Sequence, residues 1–270
     1  LKKTDYKKDE VRMTGECAGG SSLYGMDDWA NLQLFDEVIG VSGLGNFSST
    51  ELDKALAGKI ANADLSLGQT SVNVTGSSTP QDVETMLQLT YLYLTHINKD
   101  QDAYQNLMTT MALTLKNRAS DPMSAYSDSL TATLYGHNPR HRAVKESDLQ
   151  HVDYDRILQI AKEMTANTGN FRFTFVGNFD EAALRQLVCQ YLGSLPSKKK
   201  AKKGHRLGQL VKGEVVNNFT RKMETPKAMN VTMWYNDQMP WTLENSINSQ
   251  VVGQVLSMIY LEKIREEATA

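Results

Sequence analysis

The chain of 270 residues has only two cysteines, Cys17 and Cys189, too few for a disulfide framework or a cysteine zinc cluster. Both read as half-buried free thiols. It also lacks a surplus of charge: 29 Lys+Arg face 31 Asp+Glu, a formal net charge of −2. No global basic field draws it to nucleic acid. No apolar run reaches the roughly 18 residues that a membrane span needs. The longest runs, near Met86–Leu94 and Val251–Leu261, are broken by Thr, Gln, Gly and Ser. Neither H-E-x-x-H nor H-x-x-E-H occurs, no Gly-rich phosphate loop follows a strand, and no G-x-S-x-G marks a nucleophile elbow.

What is present is ordinary globular material, 40% hydrophobic and 22% charged, enough for one to two domains with a core. The chain opens on Leu1 in a polar stretch and stops at Ala270 just after a helical pattern. We read it as a piece of a longer chain, and any export signal would lie upstream.

Val11 to Cys17 alternates apolar and polar, the pattern of a half-buried strand. Asp27 and Asp28 introduce a helix carrying Leu32, Leu34, Phe35, Val38 and Ile39, ended by Gly40, Gly43 and Gly45. Ser49-Thr50-Glu51-Leu52 reads as the cap of a short helix, Leu52–Leu56. Two alternating strands follow, Ile60–Leu67 and Thr70–Ser77, with Leu65, Leu67, Val72 and Val74 inward. Thr79-Pro80 then predicts the start of a helix with Val83, Met86, Leu87, Tyr91 and Leu94 on one stripe. Further helices are predicted from Gln101 to Arg118, from Asp121-Pro122, from Asp153 to Met164 and over Glu181–Leu192, with a strand from Phe171 to Val176. Between Gly136 and Val152 no period holds.

Residues 197–213, with lysines filling most of 198–203, read as a solvated linker rather than a phosphate-binding patch. Beyond it Val215–Lys222 and Ala228–Tyr235 predict paired strands. Thr242 then caps a long helix with Leu243, Ile247, Val251, Val255, Leu256, Ile259 and Ile264 facing inward. Two strands and a helix are too little to close a core, so this second domain is read as cut short. The fold class is α+β, a mixed or antiparallel sheet covered by helices. Both pieces place two strands ahead of a long helix, a weak internal repeat.

His137 and His141 have the four-residue spacing of two imidazoles on one helix face, but Pro139 between them removes that helix. A loop with two solvated histidines is the better reading. Four N-x-S/T sequons, at Asn46, Asn73, Asn218 and Asn230, are read as chance, because three fall in or beside predicted strands.

One ordered set of residues is less generic. Phe175-Val176-Gly177-Asn178-Phe179-Asp180, a helix, then Tyr191-Leu192-Gly193-Ser194-Leu195-Pro196 resembles a segment of the pitrilysin/insulinase family of zinc metallopeptidases, the inverzincins. Gly43-Leu44-Gly45-Asn46-Phe47, Leu56-Ala57-Gly58-Lys59, the stretch from Gly76 through Leu89, and Leu261-Glu262-Lys263-Ile264-Arg265-Glu266 resemble the same family, in the same order. The resemblance implies tandem halves of two similar α/β domains each, closing like a clamshell round a chamber. It implies zinc in the half that carries H-x-x-E-H plus a distal Glu, whose first Glu is the general base. Here the helix near Trp29–Val38 stands where the zinc helix would be, yet reads Asn31-Leu-Gln-Leu-Phe-Asp-Glu without a histidine.

The resemblance is therefore to the non-catalytic C-terminal half, as a fragment: residues 1–196 a peptidase-like domain, 197–213 a linker, 214–270 the start of a second similar domain. No catalytic or metal-binding residue is expected in it, and it is not expected to be active alone. Zinc would belong to the full-length parent. Arg265 matches the arginine of the family's R-E-x-x-G-x-Y stretch, with the glycine position at or near Thr269 and the tyrosine beyond Ala270. The resemblance gives it a substrate-binding role, stabilising charge on the scissile carbonyl oxygen. The implied partners are a peptide substrate and a catalytic N-terminal half, in the same chain or as a separate subunit. A peptide-binding scaffold of the same fold is the reading from another class. The resemblance also suggests a cell-envelope or secreted location.

Overall fold

A computed structural model of the chain describes residues 1–166, 168–197, 202–225, 227–236 and 238–267. It divides into two units, Leu1–Lys222 and Met223–Ala270. In chain order the first unit opens with strands β1 (Lys2–Lys3) and β2 (Val11–Ala18), helices α1 (Trp29–Gln33) and α2 (Phe35–Gly40), and β3 (Gly43–Leu44). Next come α3 (Ser49–Ala55), β4 (Ala61–Leu67), β5 (Ser71–Ser78), α4 (Val83–Thr95) and β6 (Ile97–Asn98). The helices α5 (Gln101–Ser120), α6 (Pro122–Leu134) and α7 (Tyr154–Thr165), strand β7 (Arg172–Gly177) and helix α8 (Glu181–Tyr191) complete it.

The main sheet has the order β1-β7-β2-β5-β4. All its pairs are antiparallel except β1 with β7, so the sheet is mixed, in an α+β fold as the periodicities predict. Register follows from the alternation. Met13 pairs with Gly76 on one side and Phe175 on the other, and Val74 sits between Gly15 and Leu65. All six therefore share one face, because side chains on neighbouring strands at paired positions point the same way. That face is closed by α2 and α4, with α7 packed against both, and the core includes Val11, Met13, Phe35, Val38, Ile39, Met86, Leu87, Ile157, Ile160 and Phe175. The other face carries Arg12, Thr14 and Glu16 from β2, Asn62 and Asp64 from β4, Thr75 from β5 and Arg172 and Thr174 from β7, all exposed. One side of the sheet is core and the other a polar wall. Gly177 ends β7 at φ 141°, and a Cβ there would sit 2.3 Å from the Glu10 carbonyl oxygen, so this turn admits only glycine.

Several boundaries differ from expectation for local reasons. The helix after Asp28 is two short helices, broken at Leu34 (φ −107°, ψ 12°), which is itself buried. Ser48, not Ser49, caps α3, in a reciprocal capping box with Glu51. The start of α4 is Val83 rather than Pro80, because Thr79 and Asp82 first close a turn: the Asp82 N–H donates to the Thr79 carbonyl and the Thr79 hydroxyl to the Asp82 carboxylate. Tyr91 is half buried rather than core, edge-on to Tyr191 at 6.5 Å. Both cysteines are free, Cys17 buried and Cys189 exposed.

The stretch read as a linker is partly tied down. The His205 N–H donates to Ser22 Oγ at 2.9 Å, the Val211 N–H to the Leu134 carbonyl at 2.9 Å, and the Leu207 carbonyl accepts from Gln69 and His141. A Cβ on Gly204 would lie 2.1 Å from the Gly19 carbonyl oxygen, so the strap crosses there in backbone contact. Lysines 198–200 lie outside the described residues.

The second unit contains α9 (Leu243–Tyr260), capped by the Thr242 hydroxyl as expected, and a π-helical segment, Leu261–Glu267. Val215–Lys222, at the end of the first unit, and Ala228–Tyr235, in the second, form no strands, contrary to their alternation. Neither stretch joins the main sheet, and two strands by themselves are marginal in water. The stripe of α9 likewise faces outward: Leu243 is 70% exposed and Val251 50%.

Candidate functional site

The helix pair α1–α2 is where the family resemblance directs attention. Its first residue, Trp29, is buried and donates its indole N–H to the Arg140 carbonyl at 3.2 Å. The Arg142 guanidinium lies over the indole ring, 3.8 Å from its centroid, and forks onto Asp148 at 2.6 and 2.7 Å. The Arg142 fork holds the Asp148 carboxyl below the usual carboxylate range, helped by the Lys145 N–H. Asn31 is buried and its Oδ1 accepts from the Asp153 N–H at 2.7 Å, locking α1 to the start of α7.

A second ion cluster flanks the same helix. Arg156 of α7 forks onto Asp28 at 2.7 and 2.8 Å and reaches Glu163 at 3.3 Å, while the Tyr24 hydroxyl donates to Glu163 at 2.9 Å. Arg156 depresses the Asp28 carboxyl, and burial followed by the Glu163 carboxylate pushes the Tyr24 phenol up. These charges fasten α1 to α7.

Zinc needs imidazole, thiolate or carboxylate donors with free lone pairs. α1 offers Asn31, whose oxygen is already engaged, and the exposed amide of Gln33. The Asp36 carboxylate accepts from the Leu67 N–H at 2.8 Å. These residues do not fit a zinc ion. Among the described residues no three His, Cys, Asp or Glu side chains gather for one. His137 and His141 are held apart in role: His141 stacks on Tyr135 at 3.9 Å and faces the Leu207 carbonyl at 2.6 Å, whereas His137 is exposed at φ 57°.

Between α1, the 135–142 loop and the strap lies a cavity of about 270 Å³, lined by Ser21, Trp29, Gln69, Arg140, Arg142 and Leu207 among others. Sequence reasoning did not find it. Its cations come from the stretch without periodicity; the only signal was the run Arg140-His141-Arg142 after a proline. Arg265 lies in the second unit, exposed, within Leu261–Glu267, and Thr269 lies outside the described residues.

Residues 151–269 match the peptidase M16 inactive domain. "Zinc protease PQQL-like" of Arabidopsis thaliana is 24% identical over 196 residues, covering 72% of this chain and 18% of the relative. "Probable zinc protease PqqL" of Escherichia coli (strain K12) is 21% identical over 246 residues, 88% of this chain and 26% of the relative. Among solved structures, the periplasmic protease PqqL from Escherichia coli aligns with a TM-score of 0.65 at 18% identity, over 78% of this chain and 23% of that one. A peptidase M16 inactive domain from Pseudomonas fluorescens aligns at 0.58 and 16% identity, over 76% of this chain and 50% of that one. The chain thus spans about a fifth to a quarter of the PqqL-type relatives. Its fold is shared with these structures, an M16 inactive domain among them.

Proposed function

We propose that this chain is a non-catalytic, substrate-enclosing part of a zinc-dependent metalloendopeptidase that hydrolyses peptides or unfolded chains. The observation that carries the reading is the two-sided sheet. One face is core and the other is a polar, exposed wall of Arg12, Thr14, Glu16, Asn62, Asp64 and Arg172, suited to line a water-filled chamber. The amide-bearing helix α1 supports it from the other direction, since a half that encloses has no use for zinc ligands. The zinc and its base would sit in a catalytic N-terminal half of the same chain or in a separate catalytic subunit. The ion there would supply an activated water.

In this reading residues 1–196 are one domain, 197–213 the connection, and 214–270 the start of a second. Arg265 would reach the scissile carbonyl and stabilise its developing charge. The periplasmic setting of the Escherichia coli protease supports a cell-envelope location.

The test is zinc content and chelator-sensitive peptide hydrolysis on the full natural reading frame beside this chain. Zinc and activity in the long protein but not in this chain are expected; neither in the long protein sinks the reading and favours a partner subunit or scaffold. In the active protein, Arg265→Ala should lower kcat about tenfold to a thousandfold, the range for loss of an oxyanion donor. An unchanged kcat/KM removes that role from Arg265.

A further inference from the structure

The cavity beside α1 contains a charge that the fold does not answer. Arg142 is matched by Asp148, and Arg156 by Asp28 and Glu163. Arg140, half buried in the cavity wall, takes part in none of the ion pairs among the described residues. It is nevertheless held in place. Its Nη2 donates to the Tyr24 carbonyl at 2.7 Å, its backbone N–H to Asn138 Oδ1 at 3.0 Å, and its carbonyl accepts from Trp29. One guanidinium N–H is thus used to orient the group, and the rest of a fork with five donors is left. An orientated guanidinium without a carboxylate partner has the geometry of a receptor rather than of a structural ion pair.

The rest of the wall narrows what would fit. Gln33, Gln69 and Ser21 bring neutral hydrogen-bonding groups, His141 brings a ring whose Nε2 is engaged by the Leu207 carbonyl, and Trp29, Leu32 and Leu207 bring apolar surface. The surplus is one fixed positive charge, which matches a singly charged anion better than a phosphate dianion. A volume of about 270 Å³ admits little more than the last residue or two of a chain. We infer that this cavity binds a carboxylate that carries a short apolar side chain, with Arg140 as its anchor, and that the peptide C-terminus is its source. The site lies wholly in the first unit and owes nothing to zinc. It rests on the reading above only for the choice of a peptide as the bearer of the carboxylate.

The strap gives the site an edge. It contributes Leu207 to the wall, fixed through its carbonyl by Gln69 and His141.

The experiment is calorimetric titration of the whole chain with acetyl-Ala-Ala-Leu as the free acid and as the amide, with N-acetylleucine as a third probe. The free acid should bind at least about tenfold more tightly than the amide, because a charge-assisted bond is lost on amidation. Arg140→Gln should weaken the free acid by a similar factor, and Arg140→Lys by less. Since the comparison of acid with amide needs no substitution, a variant that misfolds leaves the test intact. N-acetylleucine should bind about as tightly as the tripeptide, since the cavity takes only the last residue or two; binding more than about tenfold tighter would keep the carboxylate site but reassign its source to a free small acid. Equal binding of acid and amide, wild-type affinity in Arg140→Gln, or no binding at millimolar peptide overturns the inference. None of these outcomes depends on whether the long protein holds zinc, so the two readings fail separately.

Discussion

The two units of this chain have similar apolar stripes and opposite fates. In the first, Phe35, Val38, Ile39, Met86, Ile157 and Ile160 are almost wholly buried between the sheet and its helices. In the second, no described residue is buried, and Trp234, Trp241, Leu243 and Met258 are each more than two-thirds exposed. The difference is not composition or period. It is the presence of a second layer: an amphipathic helix is stabilised chiefly by the surface that receives its apolar face, and α9 has none within its own unit. A pattern specifies which face would be buried, and only a complete set of elements buries it.

The largest test of that contrast is a pair of truncations. Phe35→Ala in the first unit should cost about 3–5 kcal/mol, the range for removing a fully buried aromatic. Val255→Ala, on the exposed stripe of α9, should change stability by no more than about 0.5 kcal/mol. Urea denaturation followed by fluorescence and far-UV circular dichroism reads both. Equal losses would mean that the α9 stripe is packed in solution and that the comparison is false.

This asymmetry also explains what could be read in advance. The alternation of Val11 to Cys17 placed β2 at the right residues, since a half-buried strand needs no more than its own period. Asp121 and Asp153 were legible as helix starts because each carboxylate caps backbone N–H groups a few residues ahead. The strands foreseen at 215–222 and 228–235 were misread for the converse reason: their periodicity was real, but neither stretch pairs into a sheet. The cavity was illegible because Trp29, Gln69, Arg140 and Leu207 converge from four distant stretches, none of them periodic at that point.

Within the first unit the ion pairs around α1 offer an intermediate effect. Asp148 is held below its ordinary pKa by Arg142, so its contribution is complete above the unfolded carboxyl value of about 3.9 and is lost as the pH falls through the lower folded value. Asp148→Asn should cost about 1 kcal/mol at pH 7, a modest figure because Arg142 remains partly in water. The gap between wild type and variant should stay constant down to about pH 5 and close below about pH 4. A gap that persisted at pH 2 would show that the side chain acts through shape or hydrogen bonds alone.

The smallest effects separate the units most cleanly, because caps act locally. Ser48→Ala removes half of the capping box on α3 and should lower the stability of the first unit by about 1 kcal/mol, since Leu52 of α3 and Leu56 at its C-terminal end pack against the core. Thr242→Ala removes the equivalent hydroxyl bond to the Asn245 N–H at 3.1 Å. A lost cap can weaken only the structure cooperative with its helix. If α9 is held by its own backbone bonds, the substitution should reduce helical signal and leave the cooperative transition of the first unit where it was. A transition shifted by as much as in Ser48→Ala would mean that the two units unfold together. The exposed stripe of α9 would then have to be counted as part of a single cooperative core.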